Sequence, residues 1–134
     1  MATLLAHIKV HPGMEERFER VAAKLHAATH EKESHVRRYE YYRGAAPGQY
    51  YSLLAFDDFL GFLAHQTSPH HEGASPELGE LIAEFRLEWL DPVGAASDLG
   101  PTEMQDLPAD ADDLTRAYHQ LFAADVQSWW QPLR

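Results

Sequence analysis

Cysteine is absent from the 134 residues, which excludes a disulfide framework and any thiolate metal site and makes the reducing cytoplasm the expected home. Basic residues are scarce: 11 Lys and Arg stand against 21 Asp and Glu, for a formal charge of -10. A surface of that sign repels phosphate backbones, and no basic run reverses it locally, so nucleic acid is not an expected partner. Long apolar runs are missing too. Nothing approaches the ~20 residues of a membrane span, and the short apolar start before Lys9 lacks a signal-peptide cleavage pattern. The expectation is a soluble, unprocessed chain that does not engage a membrane. Hydrophobic residues make up 45 % and charged residues 24 %, a globular balance that predicts one folded core rather than disorder.

Thr3 to Val10 is β-prone and closed by Pro12-Gly13, which predicts a first strand and a turn. From Met14 to Thr29, the positions Met14, Phe18, Val21, Ala22, Leu25 and Ala28 recur at helical spacing with charges between them, which predicts an amphipathic helix. Val36 to Arg43 and Gln49 to Phe56 flank the turn chemistry of Gly44 to Gly48 and read as a hairpin. The second arm, YYSLLAF, is apolar at both parities. A strand of that kind needs cover on both faces.

Asp57 and Asp58 suit the cap of a short helix carrying Phe59, Phe62, Leu63 and Gln66, and Ser75-Pro76-Glu77 suits the start of another. Phe85 to Leu90 alternates as a fourth strand and ends at Asp91-Pro92. The order β-α-β-β-α-β predicts an α+β, ferredoxin-like unit with a four-stranded antiparallel sheet over residues 1–94. Its bare face is expected to be covered by a second copy, giving a homodimer. Residues 95–134 are expected to be a Pro- and acid-rich linker followed by a helical arm from about Asp112 to Ser128. Its stripe would be Leu114, Tyr118, Leu121, Phe122 and Trp129, docked on either protomer.

Three segments, KVHPGMEERF, VRRYEYYR and His65-Gln66-Thr67-Ser68-Pro69-His70, fall in the order and spacing of the antibiotic biosynthesis monooxygenase family, which residues 2–94 resemble. The resemblance implies a dimeric α+β barrel with one cleft per protomer between sheet and helices. It also implies an oxygenase acting on a small aromatic, quinol or polyketide-like substrate with molecular oxygen and no cofactor. Such chemistry asks for a base beside an electron-rich phenol in an apolar, water-poor pocket. Histidine suits the base, and the motif singles out His65 and His70. The structural alternative for His65 is to tie its loop through hydrogen bonds, and for His70 to be an exposed polar residue in a Pro-containing loop.

Among the aromatic residues, Tyr39, Tyr51, Phe56, Phe62 and Trp89 are candidates for binding a flat substrate. Relatives often carry Trp where Phe56 stands, and a polyketide-oxidising relative has Asn and Tyr where Ser52 and Phe62 stand. A non-catalytic ligand-binding or structural dimer of the same fold is therefore the competing expectation. Haem-degrading relatives carry Trp at the position of His65, so haem is not expected. No metal is expected either. His26 and His30 lie one turn apart without an H-E-x-x-H pattern.

Overall fold

The computed structural model describes residues 1–134. The main elements run β1 (Ala2–Val10), α1 (Glu15–Lys32), β2 (Val36–Arg43), β3 (Gln49–Phe56), α2 (Phe59–Gln66), α3 (Pro69–Leu81), β4 (Ile82–Leu90) and α4 (Asp113–Leu121). The four strands form one antiparallel sheet in the order β2-β3-β1-β4. The ferredoxin-like topology is thus as the sequence predicts. No helix is long and apolar enough to cross a membrane.

Strand parity divides the sheet into two faces. Leu4, Ala6, Ile8 and Val10 of β1 point inward with Tyr50, Ser52, Leu54 and Phe56 of β3, and all eight are buried. They meet Phe18, Val21, Ala22, Leu25 and Thr29 of α1, whose spacing is one helical stripe. Leu5, His7 and Lys9 point the other way, with Tyr51 and Leu53 opposite them in register. Gly48 closes the β2–β3 turn at φ +73, and a Cβ there would lie 3.2 Å from the Val10 carbonyl oxygen. Glycine is the residue that fits.

The second helical segment starts earlier than Ser75-Pro76 suggests. Ser68 caps α3 by accepting from the His71 amide, with Pro69 at the first helical position. Pro76 lies inside the helix instead. The same Ser-Pro chemistry occurs twice, and the first copy, two residues beyond α2, captures the cap. Pro76, which cannot donate to the carbonyl one turn back, lies on the exposed side of the helix. His70 and His71 consequently sit in a helical first turn rather than a loop. β4 likewise begins at Ile82, three residues before the predicted start.

The tail is pinned rather than loose. Thr102, fully buried, donates its hydroxyl to the Leu90 carbonyl (2.6 Å) and accepts from the Thr3 amide (3.1 Å). Its own amide donates to Asp91 (2.9 Å), which also pairs with Arg134 (2.7 Å). Asp98 meets Arg38, so this segment crosses the Ala55 end of the sheet's outward face. α4 is shorter than predicted, capped at Asp112 and ending at Leu121 with Phe122 as its C-cap. It packs on α2 of its own chain. Of the predicted stripe, Tyr118 and Phe122 pack against the core, whereas Leu114, Leu121 and Trp129 stay exposed and Trp130 is the buried indole.

Replacing Thr102 by valine keeps the shape but strands the Thr3 amide and the Leu90 carbonyl. Loss of about 1–3 kcal/mol is expected, read in urea as a lower midpoint at unchanged slope.

Candidate functional site

Between the inward face of the sheet and the helices lies a cavity of about 400 Å³. Leu4, Ala6, Ile8 and Leu54 supply its floor, Phe62 and Leu78 its helical walls, and Tyr118 and Phe122 of the tail its cover. The lining is mostly apolar, as expected of a site for a small organic ligand. The polar groups are few: Tyr39, Tyr41, Ser52, His65, Gln66, His71 and Ser75. Three of these residues hold buried polar atoms with no hydrogen-bond partner, namely Ser52 Oγ, His65 Nε2 and His71 Nδ1. Orphaned polar atoms are costly and scarce in folded proteins. Their gathering round one cavity marks it as a place built for a polar occupant.

A larger groove of about 730 Å³ lies on the outside between α1 and β2, lined among others by Ala23, His26 and Tyr42. Its charged groups already satisfy each other, Glu19 pairing with Arg43 at 2.7 Å. It lacks the orphaned atoms of the inner cavity.

His65 stands at the end of α2 with no solvent exposure. Its ring centroid is 4.7 Å from that of Tyr39 and 5.3 Å from that of Phe56. The Nδ1–H donates to Glu33 at 2.9 Å to Oε1 and 3.1 Å to Oε2. An ionised carboxylate only accepts, so the hydrogen of a neutral His65 ring resides on Nδ1. The lone pair is then left on Nε2, the orphaned atom. The carboxylate thereby sets the tautomer.

Glu33 is the residue that sequence reasoning missed. It follows the last turn of α1, and its side chain is only 6 % exposed. Burial works to raise the Glu33 carboxyl, but hydrogen bonds and charge from His65 and then His70 outweigh it and hold the group below its ordinary value. The signal was present as a stripe. Positions 18, 22, 25, 29 and 33 continue one helical face, and a charge on an apolar stripe is informative. A helix predicted to stop at Thr29 hid it.

His70 does not line the cavity. Its Nε2 lies 2.6 Å from Glu33 Oε1, on the side away from the ligand space. Among the predicted aromatic residues, Tyr39 and Phe62 line the cavity beside His65. Phe56 is buried behind the imidazole, and Trp89 packs on Phe59 and Phe62. Tyr51 points to the opposite sheet face, 5.5 Å from His7, because its parity is odd.

Tyr41 and Ser52 enter the lining in their place. The Tyr39 and Tyr41 hydroxyls bond each other at 2.9 Å. Burial pushes Tyr39 well above the usual tyrosine value and raises Tyr41, so both are neutral donors. Burial likewise lowers His71 to about 4, leaving it uncharged at neutral pH. The cavity thus presents neutral walls and, at His65, an imidazole lone pair whose far side is anchored to a carboxylate.

The family model described as Antibiotic biosynthesis monooxygenase matches residues 1–77. Solved structures similar to this chain include a candidate antibiotic biosynthesis monooxygenase from Caulobacter crescentus, at 24 % identity and TM-score 0.65, covering 69 % of this chain and 89 % of that one. A Pseudomonas aeruginosa protein, PA3566, matches at 23 % identity and TM-score 0.61, covering 66 % and 90 %. A Mycobacterium tuberculosis protein, Rv0793, matches at 21 % and 0.64, covering 72 % and 98 %. These show a shared fold. No curated protein matches the sequence.

Phe122 closes the cavity from the tail, so Phe122→Ala should open it. The expected result is stronger fluorescence of an environment-sensitive apolar dye, with the far-UV circular dichroism unchanged.

Proposed function

Because the chain belongs to the antibiotic biosynthesis monooxygenase family, we propose that it oxidises a small aromatic, quinol or polyketide-like phenol with molecular oxygen. In this reading His65 is the base. The carrying observation is its buried, unpartnered Nε2 in the wall of an apolar cavity, with Nδ1 tied to Glu33. A phenol seated there would donate to Nε2, and proton transfer would leave a phenolate in a site where charge is poorly screened.

The phenolate gives one electron to oxygen, and the resulting radical pair recombines to a peroxide. Loss of water from the peroxide leaves a carbonyl carrying one oxygen atom. All electrons come from the substrate, so the step calls for no cofactor. Tyr39 and Phe62 flank the ring, and Tyr41 and Ser52 offer hydroxyls to its oxygen substituents. His70 serves as a positioning residue, sharing the Glu33 carboxylate with His65. Phe56 backs the imidazole, whereas Trp89 supports the Phe62 wall.

We assign the chemistry to residues 1–94 and the cover to the arm of residues 95–134, acting in the cytoplasm. We also propose a homodimer through the outward sheet face, where Leu5 lies opposite Leu53 between the flanking charges of Glu88 and Glu40. Sedimentation should show a dimer at micromolar concentration, and Leu53→Glu should shift it to monomer. A wild-type monomer would overturn that assignment.

Oxygen uptake on a panel of hydroquinones and hydroxylated polycyclic phenols tests the oxygenase. His65→Ala is expected to lower kcat/KM by about 10²- to 10⁴-fold, and Glu33→Gln, which releases the tautomer, by less. Tight binding of these phenols without any oxygen uptake would favour the non-catalytic binding dimer instead.

A further inference from the structure

We propose that Glu33, His65 and His70 also form a binding site for one divalent transition-metal ion, placed on the side of His65 away from the cavity. The ligand atoms of the three residues lie within 4.8 Å of one another. The carboxylate-to-imidazole separations are 2.6 to 3.1 Å. Ligands held at ~2.0–2.2 Å from a tetrahedral zinc-like ion sit about 3.3–3.6 Å apart, so opening these separations by roughly half an ångström, somewhat more for the His70 pair, would admit the ion. All three side chains are largely buried, at 6 %, 0 % and 12 % exposure.

Two further observations point to a cation. His70 Nε2 faces three oxygens at once: Glu33 Oε1 at 2.6 Å, Ser68 Oγ at 3.2 Å and Thr29 Oγ1 at 3.3 Å. A ring nitrogen carries one hydrogen or one lone pair, so a proton there serves that crowd poorly. In addition, His35 Nε2 is buried without a hydrogen bond, 3.2 Å from Glu33 Oε2. It supplies a further nitrogen at the rim. Two or three imidazoles and one carboxylate favour zinc, cobalt, nickel or iron(II) over magnesium or calcium, which prefer all-oxygen shells.

The ion would act on the cavity through the ring it binds. Coordination takes the Nδ1 lone pair of His65 and moves the ring hydrogen to Nε2, with no net proton released from a neutral imidazole. The atom facing the cavity then changes from proton acceptor to donor. That consequence, unlike the site itself, rests on the base assignment above.

The test uses the full chain after chelator treatment, titrated with cobalt(II) and followed by visible absorption, with zinc competition and calorimetry for stoichiometry. Saturation at one ion per chain is expected. Glu33→Gln and His70→Ala should each weaken binding at least ~100-fold, beyond the 10- to 100-fold typical of outer-shell changes. Replacing both His26 and His30, whose rings lie 4.4 Å apart on α1, should change nothing. No saturable binding, or binding that survives His70→Ala, overturns the site.

Anomalous diffraction from cobalt-soaked wild-type crystals needs no variant. A peak between Glu33, His65 and His70 supports the proposal, and a sole peak elsewhere overturns it. Oxygen uptake by stripped and loaded protein separates the two ideas. Equal turnover overturns the acceptor-to-donor change, while absence of turnover in both forms counts against the oxygenase, and the absorption titration decides the site in either case.

Discussion

A carboxylate almost wholly removed from water has to be met by donors, and the side chains that meet Glu33 are His65 and His70, with the unbonded ring of His35 beside them at the rim. The location sharpens the demand, since the last turn of a helix carries negative partial charge that opposes a second negative group. Satisfying Glu33 therefore draws the end of α1, the end of α2 and the first turn of α3 to one point. With those three ends gathered, the inward sheet face is roofed, and the imidazole of His65 is held with one nitrogen toward the cavity.

The fold was readable because its determinants are local and repeated. The β-prone run of β1 closed by Pro12-Gly13, the alternation of β4, the α1 stripe from Phe18 to Leu25, and the turn at Gly44 to Gly48 each point to the same β-α-β-β-α-β order. The boundaries were less so. Ser68-Pro69 and Ser75-Pro76 present identical capping chemistry, and only the packing of α2 against β3 and α3 decides which begins a helix. The arm departs from its predicted extent for a related reason. A helical stripe running to Trp129 exists in the sequence, yet of that stripe only Tyr118 and Phe122 pack against the core.

The candidate site was legible residue by residue but not as an arrangement. His65 stands out by motif, whereas Tyr51 and Tyr41 are equally aromatic, and only register tells which of them looks inward. Glu33 and His65 are 32 positions apart, and nothing in one sequence reports that separation as a contact. Sequence reasoning finds chemical types, and the fold decides which nitrogen of an imidazole is left with its lone pair.

The Thr102 anchor carries a kinetic meaning. Its bond to Thr3 closes a loop spanning 99 residues, and such distant contacts repay their entropy only after the rest of the chain has condensed. A contact made that late is absent from the folding transition state, so it does little for the speed of folding and much against the speed of opening. The tail then works as a bolt drawn after the door is shut. It lengthens the lifetime of the closed cavity, whose cover it also supplies.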